Sequence, residues 1–400
     1  MSVPLSYNLR NLIERRATTL MTALGIALTV GVLVTAVALI VGLHGTFAAT
    51  GDPLGIVVLR KGVTAELNSS ITQDAYERIR MLPDVAREKG GPAAHEGVMK
   101  GEPMVSPELI SVINLPSVDN PSGMNVTVRG LLPIGVRMRR LRVVAGEWFG
   151  SGRREVVVGK SVAKRYASAH LGATLHFGRG DWKVVGVFDG GKGGESAVNS
   201  EIWCDLNQLA ADFQRQANMS SVLVRAVDPV AAKRLVDTIQ YDRLLDATAL
   251  PEQDYYASMT NSGIPLQVLG TFVAAIMAVG SAFGAMNTMY AAVARRGREI
   301  GTLRSLGFTR RSILASFIAE SIALSLLGGI IGCALAWPLN WVTTGIGNFE
   351  TFSEIAFNFR VGPVAIAVGM VFAGAIGLFG GYLPARAAAR RDLLTTLREA

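Results

Sequence analysis

Four stretches without charge, each long enough to cross a bilayer, constrain this chain more than any other feature. Residues 17–43 contain no Asp, Glu, Lys or Arg. As a helix rising about 1.5 Å per residue they would cover roughly 40 Å, more than the roughly 30 Å of a bilayer's hydrocarbon core. Similar runs occupy 266–294, 312–348 interrupted only by Glu320, and 361–385. Inside lipid the backbone must satisfy its own hydrogen bonds, so runs of this kind become helices. Only 18% of the residues are charged and 50% are hydrophobic, against about 25% charged in a typical soluble domain. An ordinary water-soluble enzyme is thereby excluded. Arg10, Arg15 and Arg16 ahead of the first run imitate a secretory leader. The run is too long for one and no small-residue cleavage pattern follows closely, so it is expected to stay as an anchor.

Charge orients the spans. The N-terminal flank, the loop at 295–311 and the C-terminal flank together hold thirteen basic residues, all Arg, against four acids, whereas residues 44–265 balance 25 basic with 24 acidic side chains. The positive-inside rule therefore predicts cytoplasmic termini, a cytoplasmic 295–311 loop and an extracytoplasmic 44–265 segment. Arginines beside spans also account for the net charge of +8 through lipid phosphate and orientation, so no nucleic-acid partner is expected. Cys204 falls outside the spans and Cys333 within one, which predicts no disulfide.

The 44–265 segment reads as a mixed α+β domain. Strand-like runs lie at 55–59, 124–129, 155–158, 182–188 and 221–227, and helical periodicity at 72–81, 161–166 and 230–245. The four histidines, His44, His95, His170 and His176, form no metalloprotease pattern, and no nucleophile elbow is present. No catalytic residue and no metal site are expected. Residues 156–161 imitate the end of a phosphate-binding loop, but Arg154 stands where its first glycine should be, so a strand turning into a helix is expected. Residues 190–194 predict a mobile glycine-rich turn. Arg137, Arg139, Arg140 and Arg142 predict a solvated basic surface, with docking to an acidic partner or to lipid headgroups as the alternative.

Between the second and third runs, Ile300, Leu303 and Leu306 fall on one helical stripe. Gly307 suits a helix C-cap and Thr309 a new N-cap, with Phe308 at the corner between them. A short helix with an apolar stripe and an aromatic tip suits a partner's groove. Glu320, inside a span, should face protein, because an ionised, lipid-facing carboxylate would cost about 3 kcal/mol. A packing carboxylate bonded to Ser, Thr or backbone is expected there, with a proton or substrate site as the alternative. Small residues recur every fourth position, at Gly328 and Gly332 and again at Gly377 and Gly381, and permit close helix packing. Leu5, Leu9, Leu12 and Ile13 predict an interfacial helix over residues 1–16.

The segment Arg298-Glu299-Ile300-Gly301-Thr302-Leu303-Arg304-Ser305-Leu306-Gly307 resembles the coupling loop of MacB/FtsX/LolC-type permease subunits of ATP-binding cassette (ABC) systems. The chain's end, from Pro384 through Arg391 to Leu397 and Arg398, is similar to theirs, as is its start at Asn8, Leu9 and Arg15. A weaker similarity rests on Val128-Arg129-Gly130 and on residues 146–149, 155–159 and 182–187. The resemblance implies four transmembrane helices with a large mixed α+β extracytoplasmic domain between helices 1 and 2, carrying a β-rich insert near 124–205. It implies a non-catalytic permease subunit of the inner (cytoplasmic) membrane, working as a homodimer with a separate ABC ATPase and a periplasmic adaptor (membrane-fusion protein). No cofactor would be bound directly, since ATP would be used by the partner subunit. Arg298, Glu299, Ile300, Leu303, Arg304, Leu306, Gly307 and Phe308 would form the ATPase-coupling site, passing motion to the outer domain for export. Signalling to an external enzyme, as in FtsX-like subunits, and lipoprotein release are the alternatives. The implied organisation is spans at 17–43, 266–294, 312–346 and 361–385, a short external loop at 347–360 and a cytoplasmic tail at 386–400.

Overall fold

The computed structural model describes residues 16–48, 50–89, 98–116, 123–190, 196–259, 264–347 and 353–390. The expected interfacial helix, apart from Arg16, the last ten residues of the tail, and residues 191–194 of the glycine-rich turn lie outside the described residues. The chain divides into a helical unit (1–42, 264–342 and 359–400) and a sheet unit (43–263 and 343–358).

The described chain opens with α1 (Arg16–Ala48), apolar on all sides as befits a helix in lipid. β1 (Gly55–Arg60) and β2 (Ile71–Thr72) follow. Then comes α2 (Gln73–Arg80), whose start is set by Thr72 accepting the Ala75 N–H at 3.3 Å. β3 (Val105–Leu115), β4 (Met124–Leu131), α3 (Pro133–Arg139) and β5 (Arg142–Gly146) come next. β6 (Glu155–Gly159) runs directly into α4 (Lys160–Arg165), and Lys160 pairs with Asp189 at 3.2 Å. β7 (Thr174–Phe177) and β8 (Gly180–Asp189) pair antiparallel. β9 (Glu201–Asp205) leads into α5 (Leu206–Asp212), capped by Asp205. β10 (Asn218–Met219), β11 (Ser221–Arg225), α6 (Pro229–Tyr241), β12 (Ala247–Pro251) and α7 (Glu252–Met259) complete the segment between the first two spans.

These strands build a ten-stranded sheet in the order β12-β1-β11-β3-β4-β9-β6-β8-β5, with β7 on β8. Strands from residues 124–205 occupy one half of it and β12, β1, β11 and β3 the other. In β6, Val156 and Val158 enter one core with Trp182 and Phe177, while Val157 enters another with Trp203 and Phe188. This period-2 division buries the strand on both faces. A third core, around Ile56, Val58, Val222 and Val224, serves the other half. The longest strand, β3, was not among those expected. Pro107 and Glu108 interrupt its pattern, and both nevertheless lie in register with β11, opposite Val222 and Ser221.

The rest of the chain forms α8 (Ile264–Arg295), α9 (Gly297–Ser305), α10 (Arg310–Ala336), β13 (Thr343–Gly347), β14 (Glu354–Asn358) and α11 (Pro363–Arg390). Among the described residues, four helical stretches are long and apolar enough to cross a membrane: Thr19–Phe47, Ile264–Arg295, Arg310–Trp341 and Pro363–Arg390. The third uncharged run does not continue as helix to residue 346. A 3-10 turn at Trp337–Trp341 ends it, and the remainder becomes β13, which pairs with β14 inside the sheet unit. Lack of charge cannot distinguish a membrane helix from an uncharged strand.

Candidate functional site

Within the helical unit, α8 gives way to α9 at Arg296, whose φ of −101° and ψ of 19° leave the helical region. Ile300 on α9 is 3% exposed and packs with Val293, Ile313, Phe317 and Ala385. The helix ends in a Schellman turn. Gly307 takes φ +93°, its N–H reaches Arg304 O at 3.1 Å, and the Phe308 N–H reaches Leu303 O at 3.1 Å. Thr309 then accepts the Ser312 N–H at 3.2 Å and starts α10. Leu306, at the end of α9, is 66% exposed. Leu303, Arg304 and Phe308 are half-buried, and Glu299 and Gly307 are exposed. Only the backbone of Arg298 is described. The expected stripe is thus graded: Ile300 holds α9 to its own unit, and Leu306 is its exposed member.

Glu320 is 6% exposed, and its partner is a guanidinium instead of the expected Ser, Thr or backbone group. Arg296 donates to it at 2.7 Å and lies 6.0 Å from the Phe317 ring centroid. Sequence separation hid this pair, because Arg296 reads as one of several loop arginines. The Gly328 and Gly332 row faces α1. A Cβ on Gly328 would stand 2.8 Å from Ala23 O, and one on Gly332 2.6 Å from Ala27 O. The Gly377 and Gly381 row faces α10, where added Cβ atoms would stand 2.9 Å from Ser321 O and 2.5 Å from Ser321 Cβ. Both rows are occupied within this chain.

The sheet unit holds a second constellation, which sequence reasoning missed. Arg129 on β4 donates to Glu66 (2.9 Å), Glu201 (2.8 Å) and Glu108. Arg139 at the end of α3 donates to Glu108 (2.8 Å), Glu252 (3.1 Å) and Tyr256 (3.2 Å). Trp203 Nε1 and Ser221 Oγ donate to Glu201 and Glu66. Two guanidinium groups thus serve four buried carboxyl groups. Burial raises the Glu66 carboxyl, but the charge and hydrogen bonds of Arg129 more than offset this and hold it below its ordinary value. At Glu252 burial dominates, and despite Arg139 the carboxyl is held above its ordinary value. Burial disfavours the charge on Arg129, yet Glu201, Glu66 and Glu108 outweigh it and keep the guanidinium protonated. The available signal was a single charge within an apolar strand, Glu108 in β3 and Arg129 in β4. Arg139 is correspondingly not part of a solvated basic patch; its side chain is buried because those carboxyl groups pull it inward.

The β13–β14 hairpin is held in the same unit. Arg165 donates to Glu354 at 2.6 Å, Tyr166 donates to it at 3.2 Å, and Ser200 accepts the Ala356 N–H at 2.9 Å. Burial, with help from the Glu354 charge, pushes the Tyr166 hydroxyl up to about 12. Among the described residues, no His, Cys, Asp and Glu cluster is arranged to hold a metal ion.

Comparison with known proteins matches residues 19–241 to the MacB-like periplasmic core domain and residues 271–393 to the FtsX-like permease C-terminal region. The macrolide export ATP-binding/permease protein MacB of Rhodopseudomonas palustris is 27% identical over 294 residues, covering 69% of this chain and 44% of that protein. The uncharacterized ABC transporter permease YknZ of Bacillus subtilis is 26% identical over 288 residues, covering 68% of this chain and 70% of that one. The chain thus spans less than half the length of its MacB relative. The crystal structure of the periplasmic region of MacB from Actinobacillus actinomycetemcomitans overlaps 52% of this chain and 93% of its own, at 13% identity and a TM-score of 0.37. Four apolar helices, a mixed α/β domain between the first two and both family matches agree: the chain belongs to the MacB-like, FtsX-type family of ABC transporter permeases.

Proposed function

We propose that this chain is the permease subunit of an ATP-driven export complex of the inner membrane, with both termini and α9 in the cytoplasm and the sheet unit outside. A separate ABC ATPase grips α9, and its motion passes through the spans to the sheet unit, which expels substrate with a periplasmic adaptor. The chain itself performs no chemistry.

The observation that carries this reading is the division of labour on α9. Ile300 anchors it to α10 and α11 through the Phe317 and Ala385 core, Arg296 ties its start to Glu320, and Leu306 stands exposed at a rigid, glycine-capped corner. A push at Leu306 would be delivered to packed helices and not absorbed by a slack loop. The chain crosses between its units at four covalent points, after residues 42, 263, 342 and 358, so every span has its own link to the sheet unit. A second copy is assigned to the groove between α1 and α8. There Gly25, Gly280 and Gly284 have no neighbour within 4 Å of an added Cβ, beside the Thr22–Thr288 bond of 3.1 Å.

Affinity purification of the full chain from native membranes, with cysteine-accessibility labelling of residues 295–311, tests the reading. An ABC ATPase should co-purify and the loop should label from the cytoplasmic side; labelling from the opposite side would overturn it.

A further inference from the structure

We infer that the cleft beside Arg140, in the sheet unit, is a binding site for a small organic phosphate whose apolar body rests on the apolar side chains among its lining residues. The cleft encloses about 660 Å³, within the roughly 300–1,000 Å³ usual for small-molecule sites. Its lining includes the apolar side chains of Leu54, Met104, Val136 and Leu141, and five of its six charged lining residues are basic. The acid, Glu88, faces Arg137 at 3.4 Å, and Arg225 is engaged by Asp52 at 2.6 Å. Arg87, Lys89 and Arg140 remain without an acidic partner among the described residues. Three such cations suit a phosphate dianion better than a singly charged carboxylate.

Two further observations single out Arg140. It takes φ 50° and ψ 36° at the C-terminal end of α3, a left-handed conformation that costs a side-chain-bearing residue about 1 kcal/mol and glycine almost nothing. A long cation therefore occupies a position where the backbone would favour glycine, and its guanidinium forms no hydrogen bond or ion pair with any described residue. Arg140, Leu141 and Arg225 also wall a smaller adjoining cavity of about 200 Å³. That cavity is lined by Arg139, whose buried Nε has no acceptor. The inference concerns occupancy alone and stands apart from the export reading.

The test is calorimetric titration of 1-naphthyl phosphate into the full chain in phosphatidylcholine nanodiscs, with empty nanodiscs subtracted. One saturable site per chain is expected. It should bind at least tenfold tighter than 1-naphthol or inorganic phosphate and weaken as salt rises. Arg140→Gly removes the guanidinium together with the unfavourable backbone conformation, so it should lose at least tenfold in affinity while melting no lower than wild type. Arg140→Lys should retain part of the affinity. Absence of binding, wild-type affinity in Arg140→Gly, or equal affinity for either control would overturn the inference. So would a lower melting temperature in Arg140→Gly, since the side chain would then serve the fold.

Discussion

Glu252, the first residue of α7, accepts the backbone N–H of Asp52 at 2.8 Å across 200 residues of sequence. Its other oxygen receives Arg139 at 3.1 Å. Asp52 follows the first span and α7 precedes the second. One buried carboxyl group thus joins the two ends of the segment between those spans, inside the sheet unit and without a disulfide.

Its ionisation should be visible in stability. Burial raises the Glu252 carboxyl above its ordinary value of 4.5, so the folded state holds the proton more tightly than the unfolded chain. The stability this contributes is complete below that ordinary value and is lost as pH rises through the folded one. Glu66, lowered overall in the fold, works in the opposite sense: its contribution is present above 4.5 and is lost as pH falls through its folded value. Thermal unfolding of wild type and Glu252→Gln between pH 4 and 8 should therefore show the wild type's advantage shrinking as pH rises. A difference independent of pH would refute this assignment.

Arg129 should be the least replaceable residue of the network. Arg129→Met would leave Glu66 and Glu201 buried without a guanidinium and Glu108 with Arg139 alone, a loss of about 3–5 kcal/mol. Arg129→Lys keeps the charge but cannot fork between two carboxyl groups, and should fall between methionine and wild type. Urea unfolding monitored by tryptophan fluorescence would report both, since Trp203 donates to Glu201. A methionine variant within 1 kcal/mol of wild type would be incompatible with the network described.

On α9 the structure separates two leucine-class positions that look alike in sequence. Leu306→Asp should change stability by no more than about 0.5 kcal/mol, as expected for an exposed site, while releasing the ATPase in co-purification. Ile300→Asp places a charge in the core with Phe317 and Ala385 and should lower the melting temperature of the purified chain before any partner is considered. Leu303 lines the small cavity beside Glu320, so its replacement mixes the two effects and is a poorer probe. ATPase retained by Leu306→Asp at wild-type stoichiometry would remove α9's exposed corner from the coupling site.

The glycines divide in the same manner. Gly332→Leu forces a side chain against Ala27 O and should destabilise the monomer by about 1–3 kcal/mol or prevent its assembly. A Cβ on Gly284 would meet no described atom within 4 Å, so Gly284→Leu should leave monomer stability unchanged while weakening the dimer. Melting temperature and light scattering, read together, separate these outcomes. A dimer undisturbed by leucine at 284 would place the second copy elsewhere.

The membrane helices were legible in the linear sequence because crossing lipid is a matter of length and lack of charge, which each segment satisfies alone. The Gly307 and Thr309 caps were legible for a related reason: a cap depends on residues within one turn. The third span was overextended because β13 shares its lack of charge, and β3 was missed because Pro107 and Glu108 break a strand pattern that neighbouring strands tolerate.

By itself, then, the order of residues determined where the chain enters lipid, which loops carry positive charge and that a mixed domain lies between the first two spans. Tertiary structure alone decided which charges are buried together. Glu66, Glu108, Arg129, Arg139, Glu201 and Glu252 come from six separate elements, and each read singly is an ordinary polar residue. Their shared desolvation, and the pairing that offsets it, exist only once the sheet has brought them within hydrogen-bonding distance. The same holds for Arg296 and Glu320, and for Arg140, whose place between two cavities no local pattern could announce.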